Sequence, residues 1–327
     1  MGNMSFFQNK INNSFSVAKV FAIISIVSAH VGITSPQFLA KIISTFASCG
    51  VVIFMVLAGY FFNANKYHNI LKFLQRKLYT IIIPWVVTGS IVYLIRLVGG
   101  SEVTVSGWLQ YILGYKTYLY FLPVLIVCYV LLYYHNKFFL YTAIVLNVIS
   151  LVLTSTGYLD SVIEKLSITN YLNIFNWIGI FALGILLRYY PPDKLYKLLK
   201  NTRFIAIGLF IVVYIIICVF KVPTGYFSHI GLPFELLSLW SIFSLSTCDV
   251  FNKSVIHHIS KLTFAIYLTH FLIIGLANNI YNINVITKSL SVFIVLIVNI
   301  VLIEVMLIIS KKIKIEYLYK LLFGIRK

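Results

Sequence analysis

The chain has 327 residues, of which 61% are hydrophobic and only 10% are charged. One soluble core could not bury that much apolar surface, so the composition excludes an ordinary soluble domain and predicts an all-α, polytopic integral membrane protein. The formal net charge of +18 is typical of a nucleic-acid binder, but the basic residues lie between the apolar runs and would face anionic lipid head groups, so we expect membrane lipids and no nucleic acid as partners.

Ten apolar windows are long enough to cross a bilayer. They cover residues 15–33, 42–62, 79–98, 119–134, 139–154, 172–188, 204–220, 229–247, 262–281 and 287–310. The fourth and fifth are short and form a tight hairpin around residues 135–137, so nine or eleven spans stay open as alternatives. The segment up to Asn13 is polar and no small-residue cleavage site follows the first window, which indicates a retained span rather than a signal peptide.

The first window carries a lysine and a histidine, Lys19 and His30, with ten residues between them. On a helix this spacing returns both side chains to nearly the same face, about 16 Å apart along the axis. Lys19 can be an ordinary interfacial anchor whose head group reaches water. His30 can be a hydrogen-bonded packing residue, but an ionisable group this far along a span more often marks a functional site.

The distribution of basic residues predicts the orientation of the chain. With a cytoplasmic N-terminus, six of the 26 Lys and Arg residues fall in outside segments, namely Lys41, Arg96, Lys116, Lys165, Lys221 and Lys288. The other basic residues then lie inside, as the positive-inside rule requires. We therefore expect both termini to be cytoplasmic.

The inside loop before the third window holds the pair Arg76-Lys77, a few residues ahead of Pro84-Trp85. Because a proline breaks the helical hydrogen-bond ladder, we expect a surface helix in this loop that bends before it enters the membrane. Such a basic patch is more often an anchor to lipid head groups, and it is also the best place in the chain for a phosphate-bearing donor.

Three further ionisable residues inside the apolar windows are candidates for a role in the site. Glu235 lies in the eighth window and Glu304 in the tenth, and either is a candidate partner for a basic residue on another helix. His270 lies in the ninth window. The four cysteines have neither a CxxC nor a Cys/His metal spacing, so we expect free thiols, no disulfide and no metal site.

Four segments together resemble one known family. They are the Lys19 to His30 pattern, the run from Gly50 to Phe62, the Ile-Pro-Trp at 83–85 after Arg76-Lys77, and the most specific piece, Ser260 to His270. The chain resembles the membrane-bound acyltransferase-3 family, the bacterial O-acyltransferases of surface polysaccharides, over nearly its whole length. The resemblance implies about ten transmembrane helices, a multi-pass location in the bacterial plasma membrane and acyl-CoA as the cytoplasmic donor.

The same resemblance implies an acceptor hydroxyl on a cell-surface or lipid-linked glycan, with polysaccharide biosynthesis proteins as partners. Acetyl-CoA is the default donor substrate, and no tightly bound cofactor is expected. The chain departs from the family in having Thr80, three residues on from Lys77, where a second arginine is common. We expect one acyltransferase-3-like transmembrane domain over residues 1–327, with no fused soluble transferase domain.

The chemistry of acyl transfer assigns roles to these residues. Moving an acyl group from a thioester to a hydroxyl needs a base of near-neutral pKa, and His30 is the expected catalytic residue, either as a direct base or as a transient acyl carrier. Lys19, Arg76 and Lys77 are the expected donor-binding residues, and Tyr267, His270 and Glu304 are expected to support the site. A polysaccharide exporter and a catalytically inactive relative remain alternatives.

Overall fold

The computed structural model describes residues 2–31, 38–67, 69–95, 97, 100, 102–166, 168–251, 253–280 and 285–324. These residues are mostly helical. In chain order, the α-helices are α1 (Gly2–His30), α2 (Phe38–Ala47), α3 (Gly50–Tyr60), α4 (Ile70–Lys77), α5 (Ile83–Ile95), α6 (Val105–Ile112), α7 (Phe121–Leu131), α8 (Lys137–Ser155), α9 (Asp160–Lys165), α10 (Ile178–Tyr189), α11 (Pro192–Asn201), α12 (Arg203–Val219), α13 (Gly231–Leu245), α14 (Ser254–Ile280), α15 (Val285–Lys312) and α16 (Glu316–Phe323).

Six helical stretches of the described residues are long and apolar enough to cross a membrane: Phe6–His30, Ala40–Tyr60, Ile70–Ile95, Lys137–Ser155, Ser254–Gly275 and Ser291–Lys312. A seventh results if α11 and α12, bent by 54° at their junction, form one span. Shorter apolar helices cover Tyr118–Leu131, Ile178–Tyr189 and Gly231–Leu245. A helical, multi-pass membrane protein is therefore confirmed, while the count of ten spans and the orientation of the termini stay predictions.

The chain divides into two compact units. The first consists of Met1–Phe61, Ile180–Thr263 and Tyr281–Ile294. In it, α1 packs against α2, α3 and α11, and α12 packs against α13. Phe15 of α1 is buried with its ring edge-on to Tyr60 and tilted against Phe243 of α13, at centroid distances of 4.5 and 4.7 Å. Aromatic packing thus holds α3 and α13 against the middle of α1.

The second unit consists of Phe62–Gly179, Phe264–Ile280 and Val295–Lys327. Here α5 packs against α6 and α16. The hydroxyl of Thr88 on α5 donates to the carbonyl of Leu322 on α16 at 2.8 Å. Helix α8 packs against the short 3₁₀ turn Ile174–Asn176, where Asn147 donates to the carbonyl of Phe175 at 2.9 Å. Side-chain to backbone bonds therefore link elements that are far apart in sequence.

Two apolar windows are interrupted. Helix α2 ends at Ala47 and α3 begins at Gly50, inside the window 42–62. The window 172–188 becomes α-helical only at Ile178. In that window Asn173 accepts from the backbone N–H of Phe175, and Asn176 accepts from Ser150 at 2.7 Å and donates to the carbonyl of Asn170. Short amide side chains that bond nearby groups compete with helix formation, which delays the start of α10.

The helix that contains Pro84 is not interrupted at the proline. Helices α4 and α5 join through a π turn, Leu78–Ile82, into one apolar helix over Ile70–Ile95. Pro84 has no N–H to donate to the carbonyl of Thr80, and a wider turn accommodates that missing bond without breaking the helix. Helix α4 is therefore continuous with α5 rather than separated from it by a loop, while its position at the membrane surface stays a prediction.

Candidate active site

Lys19 and His30 lie on the same helix, α1, as their spacing predicted. Lys19 is half-buried, and its Nζ lies 4.6 Å from the centroid of the Phe61 ring, just beyond the C-terminal end of α3. This is a cation–π distance. Helix α1 begins at Gly2 rather than near residue 15, so a long polar stretch precedes Lys19 and packs against α11. Lys19 therefore lies at the same depth as the C-terminal end of α3.

His30 is the last residue of α1 and is half-buried. Its height above Lys19, about 16 Å along the helix axis, places the two side chains at different depths on one face. Residues 32–37, which follow His30 in the chain, lie outside the described residues. The imidazole thus stands at the end of the helix opposite to the polar N-terminal stretch.

The crossing of α1 with the α2–α3 junction fixes the position of this face. The hydroxyl of Ser25 donates to the carbonyl of Phe46 at 2.8 Å and lies 3.2 Å from that of Ala47. These carbonyls are at the end of α2, where a helix leaves such groups without a helical partner. A Cβ on Gly50 would lie 2.6 Å from the carbonyl oxygen of Ala22, so only glycine permits this approach.

The donor-binding pair differs in exposure. Arg76 is exposed, with its guanidinium carbon 5.7 Å from the Tyr67 ring centroid. Lys77 is half-buried, and its Nζ lies 3.9 Å from the centroid of Tyr129 and 5.2 Å from that of Phe73. The lysine head group is therefore enclosed by aromatic rings, while Arg76 offers a guanidinium to solvent, where an anionic donor could be bound.

Tyr267 and His270 of α14 are both buried and lie against Tyr118, which precedes α7. The Tyr118 hydroxyl donates to the carbonyl of Leu268 at 2.9 Å, and the Tyr267 hydroxyl donates back to the carbonyl of Tyr118. His270 Nδ1 lies 2.7 Å from the carbonyl of Tyr267. Because a carbonyl only accepts, this contact assigns the proton to Nδ1. The two tyrosine hydroxyls fasten α14 to the segment before α7, and the His270 ring packs edge-on against Tyr118 at a centroid distance of 5.0 Å.

Glu304 of α15 is half-buried and lies near Tyr319 of α16. Burial and the nearby Glu304 charge raise the pKa of Tyr319 from its ordinary value of 10.0 to about 12. In the same unit, the Thr269 hydroxyl bonds to the Asn299 side chain at 2.7 Å, which ties α14 to α15. Glu304 is therefore part of the packing around α16.

The candidate residues fall into two groups by unit. Lys19 and His30 belong to the first unit, and the second contains Arg76, Lys77, Tyr267, His270 and Glu304. The four cysteines are free, and within the described residues no three His, Cys, Asp or Glu side chains come together as metal ligands. Sequence reasoning gave no role to Ser25 or Tyr118, since their partners lie 21 and 150 residues away.

Comparison with known proteins identifies the family. The family model described as an acyltransferase domain, Acyl_transf_3, matches residues 12–309, which include the seven candidate residues. No curated protein and no solved structure gives a significant match. With a match over most of its length, the chain belongs to the acyltransferase-3 family of membrane acyltransferases.

Proposed function

We propose that this protein transfers an acyl group, by default acetyl, from cytoplasmic acyl-CoA to a hydroxyl of a cell-surface or lipid-linked glycan. The observation that carries the proposal is the placement of Lys19 and His30 on one face of α1, inside the region matched by the acyltransferase model. The proposal includes ten spans, cytoplasmic termini and a location in the bacterial plasma membrane.

His30 acts as the base of the reaction. It takes the proton of the acceptor hydroxyl as the oxygen attacks the thioester carbon, the C–S bond breaks, and the coenzyme A thiolate leaves. Lys19 binds the negatively charged donor, and the height of His30 above Lys19 leaves room for the donor to extend from its phosphates to the reacting carbon. Arg76 and Lys77 of the second unit are the other donor-binding candidates. In the alternative route, the imidazole first accepts the acyl group and then passes it to the hydroxyl.

The test uses inside-out membrane vesicles from cells in which the chromosomal copy is replaced by His30→Ala. Radiolabelled acetyl-CoA is added outside, and label in the vesicle glycan is counted. We expect a loss of at least about 100-fold, the usual contribution of a general base. The protein should still insert, since loss of one imidazole costs only about 1 to 3 kcal/mol.

The matched control is His258→Ala, because His258 is an exposed imidazole on α14. This variant should transfer label at the wild-type rate. Wild-type transfer by His30→Ala, with the variant present in normal amounts, would rule out His30 as the base. Absence of transfer by the wild-type protein itself would favour the exporter or inactive alternatives. Label trapped on the protein before acceptor is added would assign the acyl-carrier route.

A further inference from the structure

The C-terminal end of α3 is the place in the first unit where α1 and α10 come together. A Cβ on Gly184 of α10 would lie 2.8 Å from the backbone nitrogen of Tyr60, the last residue of α3. Phe15 of α1 also packs edge-on against the Tyr60 ring, at a centroid distance of 4.5 Å. Side chains of α1 and α10 can therefore reach the same helix end.

Arg188 continues α10 past this contact. It follows Gly184 by one helical turn, about 6 Å of rise, so it lies on the face of α10 that contacts α3. The side chain is exposed, and its positive charge lies within electrostatic reach of the Tyr60 hydroxyl. Arg188 thus brings a guanidinium to the end of α3 from a helix that supplied none of the candidate residues.

Lys19 brings a second cation to the same helix end, from α1. Its Nζ lies 4.6 Å from the Phe61 ring centroid, and the Phe61 ring is edge-on to that of Tyr60 at 5.3 Å. The aligned peptide dipoles place only about half a negative charge at the C-terminal end of a helix, which offsets part of the two positive charges. An anion bound at the end of α3 would neutralise the remainder.

The polar side chains that link α1 to Tyr60 are neutral. Gln8 donates to the Tyr60 hydroxyl and to the Asn12 side chain, both at 3.2 Å. At about 100° per residue, Gln8 and Asn12 lie within about 20° of Lys19 around α1, so these three side chains form one stripe. The sequences of α1, α3 and α10 contain no Asp or Glu. The three helices thus offer an anion two cations and neutral donors, and no carboxylate that would repel it.

The donor of the proposed function needs a site with these properties. Coenzyme A carries its phosphates at one end and its thioester at the other, joined by a flexible arm. The planar guanidinium fork of arginine matches two phosphate oxygens, and lysine adds a point charge. Lys19 lies about 16 Å along α1 from His30, so phosphates held at the end of α3 leave the arm free to extend along α1 towards the imidazole.

We propose that Arg188 is a donor-binding residue that holds, together with Lys19, the phosphate end of acyl-CoA. This inference deepens the proposed function and rests on it. The resemblance to the family predicts a second arginine where this chain has Thr80. Arg188 supplies a guanidinium from a distant part of the chain, in the same unit as Lys19 and His30. The donor is bound electrostatically, and no covalent bond forms to Arg188.

The first test measures binding without relying on activity. The purified full chain, in an uncharged detergent, is titrated with coenzyme A by calorimetry. Arg188→Gln should raise the Kd about tenfold, as expected for the loss of a charge-assisted hydrogen bond. Arg203→Gln is the matched control and should leave the Kd unchanged, because this arginine of the first unit packs its guanidinium carbon 4.7 Å from the Phe204 ring centroid.

The second test asks whether Arg188 acts on the phosphates. In the inside-out vesicles, acetyl-CoA is compared with acetyl-pantetheine, which carries the same thioester without phosphates. Arg188→Gln should raise the KM for acetyl-CoA about tenfold with little change in kcat, and should leave kcat/KM for acetyl-pantetheine at the wild-type value. Arg188→Lys should lie between wild type and Arg188→Gln with acetyl-CoA, since it keeps the charge and loses the fork.

The outcomes separate this proposal from the proposed function. A wild-type Kd for coenzyme A in Arg188→Gln, or an equal loss of kcat/KM with both donors, would overturn the role of Arg188 while the acyltransferase function stands. An Arg188→Gln variant that binds coenzyme A normally but is no longer stabilised by added phosphatidylglycerol would assign the arginine to a lipid phosphate instead. A wild-type protein that does not bind coenzyme A would overturn the proposed function itself. If Arg188→Gln fails to accumulate, Arg188→Lys replaces it, and a wild-type Kd for that variant would then overturn the proposal.

Discussion

Helices α3 and α10 touch at two glycines, and this contact yields a quantitative prediction. A Cβ on Gly59 would lie under 3.0 Å from the carbonyl oxygen of Phe181 and 3.1 Å from the Cα of Gly184. Ordinary Cβ contacts begin at 3.4 Å, and both obstacles are backbone atoms that no rotamer change can move. Gly59→Ala must therefore push the two helices apart.

The expected cost follows from this geometry. Overpacking of a close contact costs about 1 to 3 kcal/mol, and a backbone clash belongs at the upper end. Replacing glycine by alanine within a helix also stabilises it by about 0.5 to 1 kcal/mol. Gly208→Ala on α12 is the matched control, since a Cβ there meets nothing within 4 Å. The difference between the two variants isolates the steric cost, about 3 kcal/mol, or roughly 150-fold in the unfolding equilibrium.

The assay is reversible unfolding in mixed detergent micelles, followed by tryptophan fluorescence. The expected order of stability is Gly208→Ala at or above wild type, and Gly59→Ala well below it. Gly184→Ala should be destabilised in the same way, and the double variant should be less destabilised than the sum, because one separation relieves both clashes. Equal stability of Gly59→Ala and Gly208→Ala would show that α3 and α10 are not in backbone contact.

Three further predictions concern the second unit and the termini. Arg76→Ala should raise the donor KM without changing thermal stability. Lys77→Ala should also lower thermal stability, because the Lys77 head group lies against the Tyr129 ring. Equal effects of the two variants on stability would contradict this difference. Burial and Glu304 raise the pKa of Tyr319 to about 12, so the folded state holds this proton more tightly than the unfolded chain. The free energy of unfolding should therefore fall between about pH 10 and 12, and it should fall more in the wild type than in Tyr319→Phe. Parallel pH profiles would refute this assignment. A C-terminal tag should resist an impermeant reagent in intact cells and react after lysis; labelling of intact cells would reverse the proposed orientation.

The sequence predicted those features of the fold that depend on apolar length. Windows of hydropathy located the long helices because burying a span requires a fixed number of apolar residues. They could not locate the break at residues 48 and 49 or the late start of α10, because these depend on hydrogen bonds made by Ser25 and Asn176. Nor could they extend α1 to Gly2, since polar residues lower hydropathy without opposing helix formation.

For the candidate residues too, local geometry was predictable from the sequence and tertiary contacts were not. That Lys19 and His30 share a face follows from helix geometry and needs no tertiary information. The pairing of Tyr118 with α14 joins residues 150 positions apart and leaves no local pattern in the sequence. Glu235 was noticed as a carboxylate in an apolar window, but only its burial without a hydrogen-bond partner among the described residues separates it from an ordinary ion-pairing acid.

Two serines on α1 show why residue type alone cannot assign such roles. Ser28 donates to the carbonyl of Ile24, one turn earlier in its own helix, at 2.8 Å. Ser25, three residues away, donates instead to the end of α2 and thereby sets where α1 crosses the α2–α3 junction. The first bond is available to any helical serine, while the second exists only because Gly50 lets the chains approach. The position of α1, and of His30 at its end, therefore depends on Ser25 and Gly50, so a substitution at Gly50 should disturb acyl transfer although it removes no ionisable group.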